Sequence, residues 1–373
     1  MINVFQPALG EEELAAVGEV FQSNWIGRGR RTEEFEARFA EHVGVPRDRI
    51  TSVSCCTEGM FQAVELLGIG EGDEVVLPTI SFVGAANAVA ARGARPVFCD
   101  VDRRTLNPTA SDIAAKITER TRAVLLLHYG GVPCAMDEIG ASLREKRIAL
   151  IEDCACSVAS SFKDQACGTF GDVGVWSFDA MKILVTGDGG MICCRTPELA
   201  ERAQRSVYLG LLEGSGFTRK VDARWWEFEI DGFGRRAIMN DVSSAIGLVQ
   251  LGKLPGFIQR RREVHAYYDR ALEGLDWLQL PPPLPPGACS SYYFYWVQSD
   301  PDVRDRLAWH LRERGIYTTF RYYPLHQVAH YNARESLPKA EVAAATTLCL
   351  PMHQSLDDQD LATIVHAIHD FSP

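Results

Sequence analysis

No apolar run in the 373-residue chain approaches the ~20 residues that a bilayer span requires, which excludes a transmembrane helix. Bases are the scarcer charge, 38 Lys and Arg against 49 Asp and Glu, and the net charge of -11 argues against nucleic acid or an anionic membrane as the main partner. There is no GxxxxGKS/T loop for a P-loop enzyme and no GxSxG elbow for a serine nucleophile. Gly68, Gly70 and Gly72 follow a helical pattern and precede a strand, the reverse of a dinucleotide fingerprint, and read as a helix cap and turn. The eleven cysteines include no CxxC; their close pairs are Cys55-Cys56, Cys154-x-Cys156 and Cys193-Cys194. Their odd number, and a start without a basic and apolar leader, point to reduced thiols in a cytoplasmic protein with no metal site.

What is present is ordinary globular material, 46% hydrophobic, enough for two domains or one large α/β core. From about residue 50 to 195 helical periods alternate with short apolar runs, which predicts a largely parallel sheet covered by helices. Strands are expected at 74–77, 95–98, 123–127, 148–152, 173–177 and 191–194, and helices at 57–67, 82–92, 111–117 and 137–146. Asp100, His128 and Asp153 end or follow strands, where ligands bind in open α/β sheets. Residues 210–234 read as a long loop, followed by helices at 240–254 and 258–272, a proline-dense break at 281–286, a strand at 292–297 and a helix at 303–314. These elements divide into a larger domain over 1–252 and a smaller C-terminal α/β domain over 253–373, with segment 1–30 packing on the smaller one.

Of the seven lysines, only Lys182 lies between an apolar strand and a glycine-rich turn, in Ser177-Phe178-Asp179-Ala180-Met181-Lys182 followed by Gly187-Asp188-Gly189-Gly190. Desolvation there is expected to lower its pKa and fit it for Schiff-base chemistry with a carbonyl. Ala149-Leu150-Ile151-Glu152-Asp153, an apolar strand ending in an acid, supplies a carboxylate of the kind that keeps a pyridinium protonated. Ser54-Cys55-Cys56-Thr57-Glu58-Gly59 opens a helix whose first N–H groups and Thr57 hydroxyl suit a phosphate, with Ser177 as a second hydroxyl. Phe82 opens another helix and has the ring to stack on a planar cofactor, although an aromatic in such a place commonly belongs to the core.

These elements, in this order, resemble the DegT/StrS family of pyridoxal-phosphate-dependent nucleotide-sugar aminotransferases. Further marks are Gly68-Ile69-Gly70-Glu71-Gly72-Asp73-Glu74-Val75, His128-Tyr129-Gly130-Gly131-Val132-Pro133, Ala245-Ile246-Gly247-Leu248-Val249-Gln250-Leu251 and Tyr323-Pro324-Leu325-His326. The resemblance implies an aspartate-aminotransferase-like fold (fold type I) and a homodimer with shared active sites. It also implies that pyridoxal 5'-phosphate alternates with pyridoxamine 5'-phosphate. Carried onto this chain, Lys182 is the Schiff-base lysine and proton shuttle, Asp153 pairs with the ring nitrogen and Phe82 stacks on the ring. Thr57, the Glu58 backbone and Ser177 hold the phosphate. The implied reaction moves an amino group from L-glutamate to C4 of a keto-deoxy sugar on a nucleoside diphosphate, often dTDP. Amination at C3, a sugar dehydratase and a cofactor-binding regulator are the alternatives; lysine at 182, where dehydratase relatives carry histidine, removes the main support for the second.

The chain departs from the family pattern at Cys56, where glycine is common, at Cys156, where Gln or His usually meets the cofactor's phenolic oxygen, and at Asp179 and Ile238. Ile238 stands where an Asn or Arg often reaches across the subunit boundary, and Arg235, Arg236 or Asn240 are the substitutes for it here. For the sugar diphosphate the candidates are Arg28 and Arg30 in Trp25-Ile26-Gly27-Arg28-Gly29-Arg30-Arg31, the Arg235-Arg236 pair and Arg321. Trp25 or Tyr322 is expected to stack on the base, His326 to line the sugar pocket, and Gly27 to be among the substrate-binding residues.

Overall fold

The computed structural model describes residues 1–212, 227–333 and 335–373. Its first strands are β1 (Ile50–Val53), β2 (Glu74–Pro78), β3 (Arg95–Cys99), β4 (Thr121–Leu127) and β5 (Ala149–Asp153). A hairpin of β6 (Ser161–Phe162) and β7 (Gln165–Ala166) precedes β8 (Val173–Ser177) and β9 (Gly190–Cys194). Seven strands make one sheet in the order β1-β9-β8-β5-β4-β2-β3. From β3 across to β8 neighbours run parallel, and β9 is antiparallel to both β8 and β1. This is the mostly parallel α/β sheet that the sequence alternation predicts.

Every residue of β2, β8 and β9 is buried, so both faces need cover. The helices are α1 (Glu11–Gln22), α2 (Arg30–Val43), α3 (Cys56–Leu66), α4 (Val83–Ala90), α5 (Ala110–Ala114), α6 (Met136–Lys146) and α7 (Pro197–Ser206). Strand alternation sorts the two faces. Val75, Leu77, Leu125 and Ile151 join one core with Phe35, Phe39 and Met60, whereas Val76, Val124, Leu126 and Leu150 join another with Ile139 and Leu143 of α6. By the same alternation Glu152 and Asp153, adjacent in β5, leave the strand on opposite faces.

Glu152, fully buried, takes the second face. Its carboxylate accepts the backbone N–H groups of Gly168 (2.8 Å), Phe170 (2.8 Å) and Gly171 (2.6 Å) and lies 3.1 Å from Nε2 of His128. Nδ1 of His128 faces the N–H of Cys134 at 3.2 Å and accepts from it, which leaves the ring proton on Nε2 to donate to Glu152.

The rest comprises α8 (Asp241–Leu272), β10 (Ala288–Cys289), β11 (Tyr295–Gln298), α9 (Pro301–Glu313), α10 (Pro338–Thr346), β12 (Thr347–Leu350) and α11 (Asp358–His369). β11 and β12 pair antiparallel and share a separate core with Val264 and Tyr268 of α8, Leu307 of α9 and Ile364 of α11. Ile2 bridges to Ile316 and the Met352 N–H donates to Val4 O (3.0 Å), so the first residues lie with this core. Farther on, α1 and α2 pack against α8, where Asp241 accepts the Gly29 and Thr32 N–H groups (2.8 and 2.9 Å).

Three expectations need correction. The helices expected at 240–254 and 258–272 are one 32-residue helix that carries Pro255 inside it and crosses residue 252 without a break. Proline removes one N–H bond, and packing at both ends, through Ala245 and Leu254 on one side and Val264 and Tyr268 on the other, offsets its absence. The strand expected from 292 begins only at Tyr295, because Tyr292 has a left-handed φ of 51 and the N–H groups of Tyr293 and Phe294 donate to Gly130 O rather than to a strand. The segment 210–234 is more than a loop: Leu211 bridges to Ile230 and the Leu212 N–H donates to Glu229 O (3.0 Å), while 213–226 lie outside the described residues. Among the described residues no helix is long and apolar enough to cross a membrane.

Replacing Glu152 with alanine strands three buried N–H groups, each costing about 1–3 kcal/mol. The urea unfolding midpoint of Glu152→Ala is expected to fall by an amount equivalent to about 3 kcal/mol or more; an unchanged midpoint contradicts this role.

Candidate active site

The chain past β8 folds into a tight turn that presents Lys182. Phe178 is buried and exchanges backbone bonds with Thr186 and Gly189 (2.9 Å each), while Asp179 accepts the Lys182 N–H on its carbonyl (2.9 Å) and the Met181 N–H on its carboxylate (3.0 Å). Asp179, one of the departures from the family pattern, thus shapes the turn that carries the lysine.

Around the Lys182 amine the structure gathers Tyr293, Cys156, Cys56 and Asp153. Burial pulls the amine toward the neutral form, but these four groups together outweigh it and hold Lys182 above its ordinary value. The sequence-based expectation of a lowered pKa is therefore corrected: desolvation is present and is outweighed by neighbouring acids. Burial pushes the Cys156 thiol up to about 11 and raises Cys56 well above its ordinary value. Asp153 is likewise raised by burial, against the Ala155 N–H that it accepts at 3.0 Å and the nearby Lys182.

Tyr293 is the site residue that the sequence did not reveal. Its hydroxyl lies 3.4 Å from Lys182 Nζ, 111 residues away in sequence, and donates to Met181 O at 3.2 Å; its ring stacks on Phe5 with centroids 5.4 Å apart. Arg261, buried without a carboxylate partner among the described residues, fixes this segment by donating to the carbonyls of Tyr292 (3.0 Å), Tyr293 (3.3 Å) and Met352 (3.1 Å) and to Gln354 Oε1 (3.0 Å). Burial lowers its pKa to about 10.

The pyridoxal phosphate implied by the resemblance fits this chemistry. Helix α3 is capped by the Cys55 sulfur, which accepts the Glu58 N–H at 3.4 Å, so the Thr57 hydroxyl does not serve as the cap. The Glu58 N–H, expected to hold phosphate, is engaged there, and its carboxylate pairs with Arg235 at 3.0 Å. Two glycines leave room beside the helix start. A Cβ on Gly190 would sit 2.9 Å from Cys56 N, and one on Gly84 would sit 3.1 Å from the Phe82 ring and 3.2 Å from Thr57 Oγ1. Ser177, buried at the end of β8, pairs with Gly190 in the sheet. Phe82 is 45% exposed, its ring free to cover a planar guest, with Tyr322 at 5.9 Å between centroids and Cys156 within hydrogen-bonding reach of Tyr322.

Other expected residues are engaged elsewhere. Arg28 turns inward to the buried Glu36 with two bonds of 2.8 and 2.9 Å and reaches Ser52 at 3.1 Å, so its charge is already neutralised. His326 has both ring nitrogens committed, to Thr79 (2.7 Å) and Glu341 (3.2 Å), which makes it a staple rather than a pocket wall. Asp100 accepts the Lys339 and Ala340 N–H groups at the start of α10, and His128 serves Glu152, leaving Asp153 alone of the three strand-end candidates beside the lysine. Asn240 caps α8 by accepting the Ser243 N–H (2.9 Å), the Trp25 indole donates to Arg28 O (3.0 Å), and Gly27 O accepts the Asp241 N–H (2.9 Å). Arg236 is exposed over the Tyr208 ring at 5.9 Å. His128, Glu152 and Cys154 bring potential ligand atoms within 4.8 Å, but the Glu152 oxygens are held by three N–H groups and the histidine. A cavity of about 560 Å³ between α8 and Pro281–Pro283 touches none of the expected site residues.

Comparison with known proteins agrees with this geometry. The DegT/DnrJ/EryC1/StrS aminotransferase family description matches residues 7–369. The chain is 56% identical to a dTDP-4-dehydro-2,3,6-trideoxy-D-glucose 4-aminotransferase of Saccharopolyspora spinosa, over 98% of this chain and 95% of that protein. Among solved structures it is similar to the aminotransferase TlmJ of Streptoalloteichus hindustanus, with 61% identity, a TM-score of 0.95 and coverage of 99% and 98%. It is also similar to the sugar aminotransferase CalS13 of Micromonospora echinospora, with 28% identity, a TM-score of 0.90 and 99% of each chain covered.

The raised carboxyl of Asp153 yields a signed prediction. A carboxyl raised in the fold costs stability above its folded pKa and nothing below its unfolded one. Asp153→Asn should therefore melt higher than the parent, both without cofactor, at neutral pH, with the gain shrinking as pH falls toward the ordinary carboxylate range, while transamination is abolished. Thermal melts across that range check it, and a lower melting temperature at neutral pH contradicts it.

Proposed function

The chain belongs to the DegT/DnrJ/EryC1/StrS aminotransferase family, and from that premise we propose that it transfers the amino group of L-glutamate to C4 of a dTDP-linked 4-keto-6-deoxy sugar. The observation that carries the reading is the convergence of Lys182 and Asp153 on one site; the 56% identical relative, a 4-aminotransferase of a dTDP sugar, supports the carbon and the nucleotide.

Pyridoxal phosphate, when bound, supplies an electron sink for the carbon that loses or gains the amine. With the group bound, Lys182 Nζ would be the base that takes the proton from the donor carbon and the acid that delivers one to the sugar carbon, with the Tyr293 hydroxyl 3.4 Å away to hold it in place. Asp153 would set its desolvated carboxylate against the ring nitrogen. Thr57, Ser177 and the free N–H groups at the start of α3 take the phosphate. Phe82 would cover one face of the ring, and Cys56 and Cys156 would border it. The Trp25 and Tyr322 rings and the Gly27 backbone would meet the sugar nucleotide.

The enzyme works as a homodimer. Phe228, Ile230 and Phe233 are 75%, 48% and 97% exposed, an apolar surface that needs cover, and the same stretch leads to Arg236 and Asn240, which complete the partner's site. We place the enzyme in the cytoplasm, and the larger, cofactor-binding part gives way to the smaller within α8, where the second core begins at Val264.

Adding glutamate to the purified enzyme should bleach the near-visible absorbance of the bound cofactor and release 2-oxoglutarate, and Lys182→Ala should reduce the rate about 10²–10⁴-fold or more. Full activity in that variant sinks the reading. Phe233→Asp is expected to shift the sedimenting species from dimer to monomer; a monomeric parent rules the dimer out.

A further inference from the structure

An aminotransferase site, on which reading this inference rests, must hold two unlike guests in turn. An amino acid donor carries a carboxylate on the same carbon that gives up its amine. A keto sugar nucleotide carries its diphosphate on the anomeric carbon, across the ring from C4. A cation close to Lys182 therefore meets the donor's carboxylate, whereas the diphosphate needs cations farther out.

Arg321 is such a cation. Its Nη2 lies 3.5 Å from Sδ of Met181, the residue preceding Lys182, and its guanidinium rides over the Phe5 ring at 5.0 Å. Phe5 stacks on Tyr293, and Tyr293 touches Lys182, so one continuous row of side chains joins the guanidinium to the reacting amine. The Arg321 carbonyl accepts the Tyr129 hydroxyl, which fixes the backbone from below. Arg28, Arg31 and Arg235 are paired with glutamates, but among the described residues no carboxylate lies within ion-pair distance of Arg321. Its fork of donors is held in position by sulfur and a ring, neither of which neutralises it.

We propose that Arg321 binds the α-carboxylate of the amino donor and of the 2-oxo acid it becomes, and so selects amino acids for the first half of the reaction. This replaces the diphosphate role expected from sequence. The two half-reactions of the holoenzyme separate the alternatives. Arg321→Gln should slow the bleaching of the cofactor band by glutamate about a hundredfold or more in kcat/KM, while its recovery with the keto sugar nucleotide changes by less than about threefold. Arg321→Lys should lie between, because a point charge lacks the two-pronged geometry. Glutarate, a dicarboxylate that cannot react, should bind the parent holoenzyme in calorimetry and bind Arg321→Gln about tenfold or more weakly. Equal reductions in both half-reactions, or a reduction confined to the sugar half, overturn the proposal. A parent enzyme that bleaches with no amino acid overturns the aminotransferase reading itself, a distinct result.

Discussion

The site depends on one property of an extended chain: consecutive side chains in β5 face opposite ways. Glu152 and Asp153 are both buried acids at the carboxyl end of the same strand, yet they do unrelated things. The first closes a ring of N–H donors from Gly168 to Gly171 and fixes the loop that leads into β8, and hence the strand from which Lys182 emerges. The second accepts a single backbone N–H and keeps its other acceptor sites open on the cofactor face, beside Lys182. A shift of one residue in β5 would exchange the two and place a fully satisfied carboxylate where an unsatisfied one is needed.

The sequence made much of this visible, and where it did not the reason is physical. Lys182 and Asp153 were legible because each adjoins a short apolar strand and because a lysine or an acid in such a place is rare without a use. Cys55 gave no sign of capping α3 because sulfur is a weak acceptor and Ser, Thr, Asp or Asn is the usual cap. Arg28 was misjudged because its partner Glu36, eight residues on, gives no local sign of being buried on the inner face of α2. Tyr293 was invisible because it lies on an irregular segment held by Gly130 and Arg261 rather than by any periodic pattern. The continuity of α8 through Pro255 contradicted a sound local rule, as tertiary packing can.

Charge is sorted in a comparable way. The acidic excess of the chain coexists with many paired arginines, while Arg261 and Arg321, which have no carboxylate partner among the described residues, both border the Tyr293 segment. One is sealed in and bonded to carbonyls; the other is left facing the site. The difference lies in what surrounds them, not in the residue.

The cysteines carry a practical consequence. Eight of the eleven are buried, Cys55 and Cys56 are half-buried with their thiols pushed upward by burial, and only Cys289 is exposed. A protein with eleven thiols therefore presents itself to an alkylating reagent much as a protein with one. A probe attached at Cys289 reports from the ribbon that β10 forms with β6 and leaves the thiols beside Lys182 untouched.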